Sequence, residues 1–165
     1  MKTTTRLLLL AVLALPVLAA CKKDEGTQNT QTAKAAVAKP ANPDDENAWN
    51  AYITDQVTRH LDGSQSVYPY TLPSPNSEGF EDTYQRQVDK VKEDVSRGGV
   101  EGTLMAFGSP DSKRTADMIV TAFEKAGTDT MKGVRVLFIG DAADKDRVEA
   151  AVKPSGAKFE FAEAK

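Results

Sequence analysis

The sequence predicts an α/β fold, with a small three-stranded, mainly parallel sheet (βαβαβ) preceded by two amphipathic helices. Short apolar runs alternate with helical periodicity over residues 103–161, and two helical patterns separated by a Pro-rich stretch precede them. Strands joined by helices pair in parallel through right-handed crossovers. About 120 residues make one ordinary domain, and we therefore expect a single α/β domain over residues 43–165.

The two leading helices follow from the spacing of apolar residues. The first begins near Pro43, with Asn42 as its cap, and its apolar residues recur at helical spacing at Trp49, Tyr52, Ile53, Val57 and Leu61. The second runs from about 80 to 97, with a stripe formed by Phe80, Tyr84, Val88, Val91 and Val95. Residues 64–79 hold several prolines and are predicted to form an extended loop. We expect both helices to cover the sheet face that the crossover helices leave open.

The second half of the chain supplies the sheet. The predicted strands are 103–107, 134–139 and 157–161, and the predicted helices between them are 109–126 and 141–152. Single glycines separate several of these segments, which is typical of strand–helix junctions. The last strand alternates apolar and polar residues, and this alternation indicates an edge strand with one exposed face.

The N-terminus has the organisation of an export signal. Lys2 and Arg6 precede an apolar run of eleven residues from Leu7 to Val17, and small residues follow it. An apolar run of this length is too short to cross a bilayer, and its flanks are those of a secretory signal peptide.

The tetrad Leu-Ala-Ala-Cys at positions 18–21 resembles the lipobox of bacterial lipoproteins. The resemblance implies that residues 1–20 are removed as a lipoprotein signal peptide and that Cys21 is acylated, with the lipid bilayer as its partner. The alternative is an ordinary secretory signal, with Cys21 near the cleavage site by chance. For a Gram-negative source, Lys22 after the cysteine implies the outer membrane, facing the periplasm, because inner-membrane retention is associated with aspartate there.

Residues 21–42 are expected to comprise the lipidated cysteine and a flexible tether. Between residues 22 and 42, Val37 is the only large apolar residue, so this segment cannot offset the entropy of ordering. A flexible chain of this length spans roughly 25 Å.

Composition excludes several functional classes. The chain has one cysteine, one histidine and a formal net charge of −3. Acylation of Cys21 would leave no thiol for catalysis or metal binding, and a lone histidine removes most triads and His-based sites. The acidic balance argues against a nucleic-acid surface. We therefore name no catalytic residue, metal or cofactor, and regard a non-enzymatic role as the better hypothesis.

Two polar groupings remain open to a functional interpretation. Ser109 and Asp111 follow the first predicted strand, and Asp141 and Asp144 follow the second, so all four should lie at one edge of a parallel sheet, where ligands bind. The favoured alternative is that Ser109 and Asp141 cap helices, with Asp144 near a capping-box position. His60, close to the end of the first helix, is interpreted as an ordinary helix-terminal histidine.

The Tyr-Pro-rich stretch is the candidate partner contact. Tyr68, Tyr70 and Leu72 lie among prolines that hold the backbone extended, and such aromatics suit a protein interface. The alternative is that this loop folds its rings back over the domain.

The function that these observations favour is that of a membrane-anchored bacterial cell-envelope lipoprotein acting as a non-catalytic protein-interaction module. Roles in assembly, as a secretion accessory or in toxin neutralisation all fit, and the expected partner is another envelope protein. The first alternative is a small metal-dependent or ligand-binding domain that uses the Asp-rich strand-end crevice. A second is structural attachment to peptidoglycan or lipid.

Overall fold

The computed structural model describes residues 35–165, so the predicted signal peptide, Cys21 and most of the predicted tether lie outside the described residues. The described residues form four α-helices, α1 (Glu46–Arg59), α2 (Phe80–Ser96), α3 (Ser112–Phe123) and α4 (Ala142–Val152). The strands are β1 (Ser66–Thr71), β2 (Thr103–Gly108), β3 (Arg135–Gly140) and β4 (Lys158–Glu163). Within this part of the chain, no helix has the length and apolar character needed to cross a membrane.

All four strands are parallel and lie in the order β1-β2-β3-β4. Successive right-handed crossovers in one direction place α2, α3 and α4 on one face of the sheet. Their core includes Val91, Ile119 and Val148 packed with Phe107 and Phe138. On the opposite face α1 is the one helix of the described residues, and Val37 and Ala164 pack beside it. The core there is formed by Trp49, Tyr52, Ile53, Leu104, Ala106, Leu137, Ile139 and Ala162.

The α/β class and the parallel sheet are confirmed, but the predicted three strands preceded by two helices are wrong in detail. A fourth strand, β1, forms inside the segment predicted to be a loop, and α2 is therefore a crossover helix. Among the described helices, only α1 covers the second face of the sheet. β4 is an edge strand, as its alternation predicted.

β1 was predicted to be part of a loop because it contains Pro69. Ser66 donates its N–H to Gly102 on the β2 side, at 3.4 Å, so alternate residues of β1 face the neighbouring strand. Val67, Pro69 and Thr71 then direct their backbone groups to the free edge. Pro69 consequently breaks no ladder bond, which is why an edge strand tolerates it.

The C-terminal end of α1 is held by one arginine. The guanidinium of Arg135 on β3 donates to the carbonyl of His60 at 2.7 Å and to that of Asp62 at 2.6 Å. It also donates to the hydroxyl of Ser64 at 3.0 Å and forms a bidentate pair with Glu160, at 2.9 and 2.7 Å. Carbonyls that the helix end leaves unbonded are thus satisfied from the sheet.

Part of the predicted tether contacts the domain. The N–H of Val37 donates to Asp55 of α1 at 3.2 Å, and the N–H of Lys39 donates to the carbonyl of Lys165 at 3.0 Å. The Lys39 ammonium lies 3.2 Å from Asp141. Packing against the domain therefore begins at Val37, before the predicted boundary at residue 43, and the chain enters on the β4 side of the sheet.

Candidate functional site

The loop after β2 is organised by Ser109 and Asp111. The buried Ser109 hydroxyl lies 2.7 Å from that of Thr115 and donates to the carbonyl of Asp111 at 2.9 Å. The Asp111 carboxylate accepts the N–H of Arg114 at 3.0 Å, as an N-cap does. The cap of α3 is thus Asp111, two residues after the Ser109 that the capping alternative had named.

The loop after β3 is organised from across the sheet edge by Ser112. Its hydroxyl accepts the N–H of Asp141 at 2.8 Å and donates to the Asp144 carboxylate at 2.7 Å. Asp144 also pairs with Arg147 at 2.8 Å. Asp141 occupies the N-cap position of α4 without a side-chain bond to that helix, and pairs with Lys39 instead.

The four residues of the predicted crevice are therefore engaged in two separate groups. Ser109 and Asp111 bond within the start of α3. Asp144 bonds Ser112 and Arg147, and Asp141 pairs with Lys39. Among residues 35–165, no group of three or more His, Cys, Asp or Glu side chains could hold a metal ion. The strand order also never reverses, and ligand crevices in open parallel sheets form where it does. The geometry is that of two mutually braced helix starts.

The predicted partner contact separates into a core part and an exposed part. Tyr70 is 2% exposed, its ring stacks on Phe107 with centroids 4.8 Å apart, and its hydroxyl donates to Asp94 at 2.8 Å. Burial raises the pKa of Tyr70, and the hydrogen bond to Asp94 raises that pKa further. Leu72 is also buried, whereas Tyr68 is 50% exposed. Only Tyr68 of the three presents a large free surface.

A mainly apolar cavity of about 290 Å³ opens beside Tyr68. We call it the Tyr68 cavity; it is lined by Tyr68, Tyr70, Asp94, Arg97, Gly98, Gly99, Val100, Thr103, Met105, Met131 and Val134. Its two charged residues are paired with each other, since Arg97 lies 3.1 Å from Asp94. The cavity thus offers apolar surface together with an ion pair that is already satisfied.

The large exposed apolar residues of the described chain gather at the same end of the molecule. They are Leu61, Val67, Tyr68 and Val100, and all belong to the start of β1 or to the turns beside it. Val100 is 74% exposed, and sequence reasoning missed it. The sequence feature that could have identified Val100 is its position as a lone apolar residue in the turn sequence Gly-Gly-Val-Glu-Gly, outside any predicted helix or strand.

His60 has a structural role at the end of α1. It occupies the C-cap position, its N–H donates to the carbonyl of Val57 at 2.9 Å, and its Nδ1 lies 2.7 Å from the carbonyl of Gln56. This is the helix-terminal role that the sequence predicted.

Comparison with known proteins assigns no family: no family model, no curated protein and no solved structure matches the chain.

Proposed function

We propose that this protein is a membrane-anchored cell-envelope lipoprotein, acylated at Cys21, whose folded domain is a non-catalytic module that binds another envelope protein. The observation that carries the proposal is the Tyr68 cavity, an apolar recess flanked by the exposed side chains of Tyr68 and Val100. The partner is expected to insert an apolar side chain there, because the charged residues that line the cavity are paired with each other.

The residues around the Tyr68 cavity suit a small interface in which one or two side chains supply most of the binding free energy. Interface hot spots are enriched in tyrosine and lie in well-packed, desolvated pockets. Tyr68 presents half of its surface to solvent while the neighbouring Tyr70 anchors the strand in the core. The exposed ring is therefore carried on a rigid strand, so a partner would order little of the chain on binding it.

The position of the cavity is compatible with anchoring. Lys39 contacts Lys165 and Asp141 near the carboxyl ends of β4 and β3, whereas Tyr68 lies on β1 at the other edge of the sheet. A partner that approaches β1 therefore does not meet the segment through which the chain enters the domain.

The test is site-specific photo-crosslinking of the full chain in its own envelope. A photoreactive residue at position 68 should yield one discrete adduct, and the same residue at Gln85, exposed on α2, serves as the matched control. Tyr68→Ala should weaken capture of that adduct's protein by about 2 kcal/mol, or roughly 30-fold in Kd. Capture unchanged by Tyr68→Ala, or the same adduct from both positions, would contradict the proposal.

A further inference from the structure

The face of the sheet that carries α1 is open beside β1. A helix is about 10 Å wide and strands are about 4.8 Å apart, so α1 alone cannot cover four strands. The uncovered part forms a groove of about 360 Å³ between α1 and β1, which we call the α1–β1 groove. It is lined by Asn50, Ile53, Thr54, Val57, Thr58, Val67, Pro69 and Thr71.

The lining of the groove sets the chemistry of what can fill it. None of its residues is charged, and Val67 is 37% exposed within it. A charged side chain placed there would lose its hydration and find no counterion in the lining. Pro69 has no N–H at the middle of the free edge, so an added strand would lack one of its bonds. The groove therefore favours a helix with an uncharged face.

The outward side of α1 is itself such a face. We call it the α1 stripe; it consists of the exposed residues Asn47, Asn50, Ala51, Thr54 and Thr58. Asn50, Thr54 and Thr58 also form the α1 wall of the α1–β1 groove. The hydroxyl of Thr58 donates to the carbonyl of Thr54 at 2.7 Å, so covering it leaves no unpaired donor. In the described part of the chain every helix exposes charged side chains, for example Glu93, Lys113 and Glu149 on α2, α3 and α4. On α1 the exposed charged residues are Glu46 and Arg59, and neither belongs to the stripe.

We infer that the occupant of the α1–β1 groove is the α1 helix of a second copy of this chain. Antiparallel packing about a two-fold axis near Thr54 sets Thr54 against its own counterpart and Asn50 against Thr58 of the partner copy. Each stripe then enters the groove of the other copy, and the small side chains allow an interaxial distance of about 8–10 Å. Neither the α1 stripe nor the α1–β1 groove contains a charged residue, so this packing creates no charge repulsion between them.

This self-association is independent of the proposed function. The α1–β1 groove and the Tyr68 cavity lie on opposite faces of the sheet, since α1 covers one face and α2 the other. A copy docked on α1 leaves the cavity open, so the failure of either proposal can be recognised separately.

The test is cysteine crosslinking of the full chain in its own membrane. Thr54→Cys, treated with a short bis-maleimide, should give a covalent species of twice the chain mass at least tenfold more abundantly than Gln85→Cys on α2. The unaltered chain measures any background from Cys21. Yields equal to that of the Gln85 control, or an adduct of a different mass, would overturn the inference.

A charge variant gives a second readout. Thr58→Glu, added to Thr54→Cys, should reduce the twofold-mass species at least tenfold, because it places a carboxylate in the uncharged groove of each partner. Gln85→Glu, added instead, should leave the yield unchanged. Thr58 and Gln85 are both exposed, and cooperative thermal unfolding of each double variant should show that both are folded. Crosslinking that survives Thr58→Glu excludes this packing.

Discussion

The hydroxyl of Ser112 donates to the carboxylate of Asp144 at 2.7 Å and thereby joins the first turns of α3 and α4. The approach is close enough that a Cβ at Gly140 would lie 2.7 Å from that hydroxyl oxygen. The same Cβ would lie closer still to the ring of Phe138, so both that ring and the Ser112 hydroxyl require glycine at the end of β3. The polar residues at the carboxyl ends of β2 and β3 bond to the first turns of α3 and α4. The strand-end crevice is therefore the weaker functional hypothesis.

The first prediction concerns this bridge. Ser112→Ala should lower the free energy of unfolding by about 1–2 kcal/mol, because the N–H of Asp141 and one oxygen of Asp144 lose their partner. Urea titration of the variant measures the change. Ser96→Ala is the matched control, since Ser96 is exposed and bonds only within α2, and it should change stability by less than about 0.5 kcal/mol. Equal effects of the two substitutions would refute a bracing role.

The second prediction concerns metal binding at the same place. Calorimetric titration of the purified full chain with Mg²⁺, Mn²⁺ or Ca²⁺ should show no saturable site. Asp141 is paired with Lys39, and Asp144 with Ser112 and Arg147, so an ion would have to displace these contacts. Stoichiometric binding that Asp144→Asn abolishes would instead favour the metal-dependent alternative.

The sequence predicted the strands that a local apolar pattern marks, and it missed the strand that forms only by pairing with a neighbour. β2 and β3 are apolar runs buried on both faces, so composition alone revealed them. β1 exposes its first four residues and carries Pro69, so propensity argued for a loop. Its period-two pattern of Tyr68, Tyr70 and Leu72 was the available signal, because all three point to the face that α2 covers.

The functional candidates show the same limit. Tyr68 was identified from residue type, but the cavity beside it is formed by residues from four separate segments of the chain. The pairing of Arg135 with Glu160 depends on β3–β4 register across 25 residues of chain. No local spacing encodes such a contact, so it could not be predicted.

The third prediction separates the two tyrosines of β1 by stability. Tyr70→Ala should lower the free energy of unfolding by about 3–5 kcal/mol, because it removes a buried ring stacked on Phe107. Tyr70→Phe isolates the hydrogen bond to Asp94 and should lower it by about 1 kcal/mol. Tyr68→Ala should change it by less than about 1 kcal/mol. Comparable losses for Tyr68→Ala and Tyr70→Ala, measured by urea titration, would mean that Tyr68 also supports the core.

The fourth prediction concerns acid stability. Hydrogen bonds from Arg135 hold the pKa of Glu160 at about 2, below its ordinary value of 4.5, with a further contribution from Lys158. Because the folded-state pKa is depressed, the stabilisation is complete above about pH 4.5 and is lost as pH falls towards 2. Glu160→Gln should therefore lower the free energy of unfolding by about 2 kcal/mol at pH 7 and by much less at pH 2. Exposed Glu93→Gln is the control, and a Glu160→Gln deficit that does not shrink at low pH would contradict this account.

The last prediction tests the membrane anchor at Cys21, a residue outside the described part of the chain. The Leu-Ala-Ala-Cys tetrad after an apolar run predicts that the native protein partitions into the detergent phase and has a blocked, acylated N-terminal cysteine. Cys21→Ser should remove the acceptor sulfur and leave an unprocessed or soluble form. Intact-mass measurement of both proteins shows whether residues 1–20 are removed and whether acyl chains are added. A native protein that stays in the aqueous phase with an unmodified cysteine would refute the anchor, while the binding test at Tyr68 would remain valid.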